Sequence, residues 1–210
     1  TFIHEGSASV LVAMRQDDAP IISILGEQVA LGPLRRDLIP TYTRWRNDPL
    51  VARTMNYTGG PVTLEERTAW YERVSRDTAS VRFTIYERQT WRAIGITNLH
   101  NIDLHHGTAE FGLMIGEADA RGRGLGTEST RLMLAYAFTS IGLHNVMLRV
   151  YEYNHAGIRA YQKAGFREFG RRQQSRWFAG QRWDEVSMQC LASDCPRTDQ
   201  DRGATRQVSS

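Results

Sequence analysis

The sequence predicts one α+β domain on a mixed, mostly antiparallel sheet of about six to seven strands flanked by about four helices. Two patterns lead there. Between Val81 and Ile115, three runs alternate apolar and polar residues and follow one another through connections too short for a crossover, which makes an antiparallel meander. Between Val146 and Phe166, a strand, a short helix and the start of another strand form a crossover unit, so at least one pairing departs from the meander. The length of 210 residues suits a single core, and 41% hydrophobic with 23% charged residues is the composition of a folding chain.

Residues 1–26 show no sustained period beyond a short strand at Ser9 to Ala13 and read as an arm. The domain proper is expected over 27–191. Val29 to Leu34 reads as its first strand. Asp37 is placed to cap a helix carrying Leu38, Ile39, Tyr42 and Trp45, which Asn47-Asp48-Pro49 ends. After the break at Gly59-Gly60-Pro61, Thr63 with Glu66 three places on has the form of a capping box and opens a helix to about Arg76. The meander follows as Val81 to Glu87, Trp91 to Leu99 and Thr108 to Ile115, with a polar loop at Asn101 to Gly107. Thr127 to Ile141 reads as a helix stopped by Gly142. Val146 to Tyr153, the helix Ala156 to Ala164, a strand from Gly165-Phe166 and a last strand Arg182 to Leu191 complete the domain; the polar tail 192–210 is expected to be disordered.

Composition narrows the function classes. A formal charge of +3 is too small to argue for nucleic acid, and the basic residues are 25 arginines and the single lysine Lys163, a bias that a GC-rich genome produces without a functional cause. No run approaches the ~20 apolar residues of a membrane helix, and His4 and Glu5 do not suit a signal peptide. Two cysteines, Cys190 and Cys195, are too few for a disulfide framework, which points to reduced thiols and a cytoplasmic protein.

Chemistry concentrates at Arg121-Gly122-Arg123-Gly124-Leu125-Gly126-Thr127, where a strand gives way to a helix. Alternating glycines open the backbone to a ligand, and a helix N-terminus favours phosphate. A nucleoside-triphosphate loop would end in glycine, lysine and a hydroxyl residue, whereas Ala164 follows the only lysine. A dinucleotide fingerprint would need a third glycine where Thr127 or Ser129 stands. Both are excluded.

The segment resembles the pyrophosphate motif of the GNAT family of N-acetyltransferases: a glutamine or arginine, then glycine three places on, then glycine or alanine after one more residue. Arg121, Gly124 and Gly126 match it. The strand Ala109 to Gly116, the helix end Tyr136-Ala137-Phe138, the strand Leu148 to Tyr151 and the stretch Asn154 to Phe166 are similar to the family's pattern too, with a departure at Gly157, where alanine or serine is usual. The likeness runs from about Gly26 to Leu191. Trp45-Arg46-Asn47-Asp48-Pro49 is similar to the subgroup of ribosomal-protein N-terminal acetyltransferases, which also holds polyamine, aminosugar and antibiotic acetylators.

The resemblance implies a GNAT fold and an enzyme that uses acetyl-CoA and no metal to acetylate a primary amine, on a small molecule or a peptide N-terminus, possible as a homodimer. It implies that Met114 and Ile115 contact the thioester arm in a gap between strands, that Arg121, Gly122, Arg123, Gly124, Gly126 and Thr127 form the pyrophosphate site, and that Asn154 bonds the pantetheine arm. Glu110 is the candidate base, its pKa expected to be raised by partial burial, or else a group that orients substrate. Tyr161 is the candidate hydrogen-bond donor to the departing sulfur, or else a core residue. A sensor that binds acyl-CoA without catalysis would need neither residue. His100, Asp103, His105 and His106 lack zinc-site spacing and read as a solvated loop. Arg171, Arg172, Arg176 and Arg182 with Trp177 and Trp183 could face a nucleic acid, but read better as an exposed hairpin.

Overall fold

The computed structural model describes residues 19–55 and 60–194. The strand expected at Ser9 to Ala13 and the tail from 195 onward lie outside these residues. Among the described residues one eight-stranded sheet carries the fold, in the order β1-β2-β3-β4-β5-β6-β8-β7. Its strands are β1 (Ile24–Leu25), β2 (Val29–Pro33), β3 (Val81–Glu87), β4 (Ala93–Asp103), β5 (Thr108–Ile115), β6 (Asn145–Tyr151), β7 (Arg167–Phe178) and β8 (Gln181–Leu191). All neighbours pair antiparallel except β5 with β6. The sheet therefore has one strand more than the sequence shows, and it begins before residue 27. The added strand is β1, held to β2 by a turn whose amides at Glu27 and Gln28 donate to the Glu128 carboxylate at 2.6 and 2.9 Å.

Five helices of the described residues cover the two faces: α1 (Ile39–Asn47), α2 (Pro49–Ala52), α3 (Leu64–Val74), α4 (Leu125–Ala135) and α5 (His155–Ala164). Strand residues alternate between faces, so each strand feeds two cores. On one face Leu31, Ile85, Leu99, Phe111 and Val146 pack with Leu125, Met133 and Leu134 of α4 and Tyr161 of α5. On the other, Tyr86 meets Tyr42 and Trp45 of α1, and Trp70 and Met114 pack beside them. The result is helix, sheet, helix in three layers.

Several boundaries move for local reasons. Asp37 does not cap α1: a single 3-10 turn at Arg36–Leu38 precedes it, and the Asp37 carboxylate accepts from Arg35 at 2.8 and 2.9 Å. Asp48-Pro49 ends α1 as expected but also starts α2, because the Asp48 carboxylate accepts from the Leu50 amide at 2.8 Å with proline at the first helical position. Thr63 caps α3 by accepting from the Glu66 amide at 3.2 Å. Strand β4 runs four residues past Leu99 through an irregularity at Asn101, whose φ is 51°. Helix α4 starts at Leu125, loosens into a π turn over Tyr136–Ile141 and stops at Gly142.

Candidate functional site

The parallel pair β5–β6 is registered only at Thr108 with Asn145, Ala109 with Val146 and Glu110 with Met147. Both strands continue beyond that point, to Ile115 and Tyr151, without pairing to each other, while β5 stays paired with β4 and β6 with β8. The sheet therefore forks immediately after Glu110. A fork between parallel strands leaves backbone donors and acceptors without sheet partners, so it presents peptide groups to whatever enters.

On the α4–α5 side the fork opens into a cleft of about 420 Å³. Its end wall is the glycine loop. Gly122 (φ 74°) and Gly124 (φ 87°) both hold left-handed torsions that a side chain resists, and a Cβ on either would meet nothing within 4 Å. Torsion demands glycine here, and the space beside the loop is open. The first intrahelical bond of α4 runs from Glu128 N to Gly124 O at 3.1 Å, so the amides of Leu125, Gly126 and Thr127 have no helical acceptor. These donors and the helix dipole suit a pyrophosphate.

The side chains of the motif's two arginines are engaged within the protein. Arg121 donates to Gly116 O at 2.8 Å, to Ile115 O at 3.2 Å and to the Asp48 carboxylate at 3.2 Å, tying the end of β5 to the cap of α2. Arg123 pairs with Glu87 at 2.6 Å. The described cations that line the cleft besides Arg121 are Arg53, Arg159 and Lys163, none of which the sequence marks as a site residue; Arg159 and Lys163 stand four residues apart on α5, a spacing that puts them on one helix face.

Met114 and Ile115 differ. Gly116 N donates to Ile94 O, and Met114 O lies 2.2 Å from where a Cβ on Gly95 would stand, so the Met114 peptide faces β4. Alternation turns the peptides of Leu113 and Ile115 toward the fork. Asn154 caps α5, its Oδ1 accepting from Gly157 N at 3.0 Å, while its amide nitrogen makes no hydrogen bond to a described residue and lines the cleft. The departure at Gly157 has a physical account: a Cβ there would stand 2.7 Å from that amide. Tyr161 packs edge-on against Phe111 and Phe166. Its hydroxyl has no protein partner among the described residues, and burial pushes its pKa up to about 12.

On the opposite face a pocket of about 140 Å³ meets the fork, and Thr54 lines both it and the cleft. Glu110 stands in this pocket. Its carboxylate accepts from Asn101 Nδ2 and from Arg149, both at 2.9 Å. Burial raises its pKa, but those two hydrogen bonds, the Arg149 charge and His100 outweigh burial and hold it below the usual carboxylate range. The raised pKa expected of a base is therefore corrected: the Arg149 ion pair reverses the effect of burial. His100 is corrected as well. It belongs to β4 and lines the pocket, with Nε2 3.8 Å from Glu110. Burial lowers its pKa against the pull of Glu110, so the imidazole is neutral at pH 7. The bulge at Asn101 brings both residues to Glu110, and bulges of this kind commonly re-aim side chains beside active sites. An asparagine ahead of a turn-rich run was the available signal.

Elsewhere, no group of three His, Cys, Asp or Glu among the described residues could hold a metal ion, and no described helix is long and apolar enough to cross a membrane. In the β7–β8 hairpin, Arg171 is answered by Glu168, Glu152 and Asp184, and Arg182 lies over the Trp177 ring. Cys190 is buried.

Residues 28–167 match the family model described as acetyltransferase (GNAT) domain. The human alpha/beta-tubulin-N-acetyltransferase 9 is 30% identical over 157 residues, covering 69% of this chain and 75% of the relative. An uncharacterized N-acetyltransferase, p20, from Bacillus licheniformis is 25% identical over 148 residues, covering 69% and 82%. Among solved structures, the spermidine N-acetyltransferase from Vibrio cholerae in complex with CoA and spermine superposes with a TM-score of 0.73 at 25% identity, covering 80% of this chain and 98% of that one.

Proposed function

The chain belongs to the acetyltransferase (GNAT) family, and from that premise we propose that it moves the acetyl group of acetyl-CoA to the primary amine of a slender acceptor, a small alkyl amine or a peptide N-terminus. The observation that carries this reading is the fork after Glu110: it joins a phosphate-suited cleft to a pocket lined by carboxylates, with Thr54 at the junction. A pocket of about 140 Å³ is well below the roughly 300–1,000 Å³ of sites for drug-sized ligands. It admits an amino group and a few carbons, which favours a thin chain end over an aminosugar.

Within that reading the roles divide as follows. The α4 amides with Gly122 and Gly124 hold the pyrophosphate, Arg159 and Lys163 supply positive charge along the cleft, and the Asn154 amide and the Ile115 peptide hold the pantetheine arm. The acetyl-CoA supplies an activated acyl group. The amine nitrogen forms its bond to the acetyl carbon, the carbon–sulfur bond breaks, the sulfur leaves as the thiol, and one proton is released overall when the acceptor arrives as an ammonium. Glu110, already ion-paired, orients the amine, and neutral His100 is the residue placed to take its proton. Tyr161 supports the departing sulfur with a hydrogen bond. Full donation from a phenol of pKa about 12 to a thiolate whose acid has pKa ~8.5 is uphill by roughly 5 kcal/mol.

The test is a calorimetric titration with acetyl-CoA, followed by a panel of amines assayed for thiol release and for the mass gain of one acetyl group. Turnover of small amines or peptide N-termini is expected. Binding of acetyl-CoA with no acetylated amine in the panel would leave the sensor reading instead.

A further inference from the structure

The fork that opens after Glu110 is bounded again at its far end. The segment 48–54 crosses there, because Asp48 caps the four-residue helix α2 and the chain then turns through Arg53 and Thr54. On one side Arg121 ties this strap to the end of β5, donating to Ile115 O, Gly116 O and the Asp48 carboxylate. On the other, Tyr153, two residues past the end of β6, donates its hydroxyl to Arg53 O at 2.6 Å. Strand β5, the strap, Tyr153 and strand β6 therefore close a ring around the passage between the two faces. The Tyr153 side chain is held independently of its hydroxyl, since its ring stacks on Tyr151 and Phe178 with centroids 5.5 and 5.0 Å away and meets the edge of Trp183.

Thr54 alone among the described residues lines both the cleft and the small pocket. A bond between a thioester carbon held in one space and a nitrogen held in the other forms at their boundary, which is where this residue stands. Its Oγ1 donates to Val51 O at 2.8 Å. A hydroxyl has one proton and two lone pairs, so with the proton committed, Thr54 offers the passage an acceptor. The reaction needs one. A primary amine that attacks through its lone pair keeps two N–H bonds, and a donor taken out of water without an acceptor costs free energy. Glu110, at the closed end of the fork, answers one of them.

We propose that Thr54 Oγ1 accepts the other N–H of the attacking amine and turns its lone pair toward the thioester, and that Tyr153 is the positioning residue that latches the strap and holds Thr54 there. This rests on the acetyl-transfer reading above and adds to it the group that orients the nucleophile.

The experiment follows acetylation of n-butylamine by wild type, Thr54→Val, Thr54→Ser, Tyr153→Phe and the double variant of Thr54→Val with Tyr153→Phe. Thr54→Val keeps the side chain's shape and removes the acceptor, so kcat/KM for the amine is expected to fall about tenfold or more while the KM for acetyl-CoA stays within about twofold. Thr54→Ser keeps the hydroxyl and should remain within about threefold of wild type. Tyr153→Phe removes only the latch and should lower kcat/KM for the amine about threefold to tenfold. Because the latch acts through Thr54, the double variant is expected to fall no further than Thr54→Val alone, whereas a purely structural Tyr153 would add its own loss. Should Thr54→Val not fold, Thr54→Ala makes the same comparison. Additive losses, a Thr54→Ser protein as impaired as Thr54→Val, or Thr54→Val at the wild-type rate would overturn the proposal. If no amine in the panel is acetylated, the acetyl-transfer reading fails on its own. Calorimetric binding of n-butylamine to the CoA-loaded protein, weaker in Thr54→Val than in wild type, then still supports the contact, and equal binding rejects it.

Discussion

At the scale of single residues, the pocket separates being charged from being basic. Glu110 is ionised and paired, so its contribution is a fixed negative charge that offsets Arg149. Glu110→Gln would leave the Arg149 guanidinium facing an arriving ammonium, and kcat/KM for amines should fall by about tenfold or more across pH 6–9 in parallel with wild type. A defect that shrinks at alkaline pH would instead show that Glu110 takes the proton. Tyr161 makes the complementary case. Its hydroxyl has no partner among the described residues, and Tyr161→Phe keeps the ring contacts with Phe111 and Phe166. We expect kcat to drop about tenfold or more with the KM for acetyl-CoA within about twofold, because the hydroxyl is used when the sulfur departs and not when the ligand binds. A variant within about threefold of wild type would make Tyr161 a core residue only.

At the scale of elements, the glycine loop depends on a lock that no phosphate explains. Arg121 spans three acceptors, two on the end of β5 and one on the Asp48 cap of α2, and both side chains are about two-thirds buried. A double-mutant cycle of Arg121→Gln and Asp48→Asn should show coupling of about 1 kcal/mol in unfolding free energy, each single change costing nearly as much as the pair. Additive effects would return Arg121 to the phosphate role. The same site shows how far a sequence can be read. The loop, the helix it opens and the crossover from β6 to α5 were legible because glycine torsions, caps and period are local properties. The side-chain partners of Arg121 and Arg123 were not, because Asp48 and Glu87 lie 73 and 36 positions away and nothing local marks a guanidinium that meets a distant carboxylate. Helix α2 could have been found, since aspartate before proline is a start signal as well as a stop. Extending β4 through Asn101 could not, because a bulge in mid-strand and a polar loop look alike in sequence.

At the scale of the whole molecule, the titrating groups predict a stability plateau with two unlike edges. On the acid side, hydrogen bonds from Ser80, Ala79 and Arg82 hold Asp77 at about 2, and Arg123 with Thr90 lowers Glu87. Burial raises Asp48, Glu110 and Glu117, but backbone amides or arginine partners outweigh it and leave all three below their ordinary values. Each of these carboxylates releases its proton more readily when folded, so its contribution is complete above about pH 5 and is lost as pH falls toward 2. His100, lowered by burial, acts in the same direction on the acid side of 6.5. On the alkaline side the sign reverses. Burial pushes Tyr42 and Tyr161 up to about 12, so the unfolded chain loses those protons first, near pH 10, and stability is lost as pH climbs from there through 12, by roughly 2–3 kcal/mol for each phenol. Urea unfolding from pH 3 to 11 should therefore be flattest between about pH 7 and 10. Tyr161→Phe isolates one edge: relative to its own value at pH 8 it should lose about 1 kcal/mol less than wild type by pH 11, with the acid limb unchanged. An equal alkaline loss in the two proteins would mean that the Tyr161 hydroxyl titrates as if in water, which would remove the buried, unpartnered donor on which its role at the departing sulfur depends.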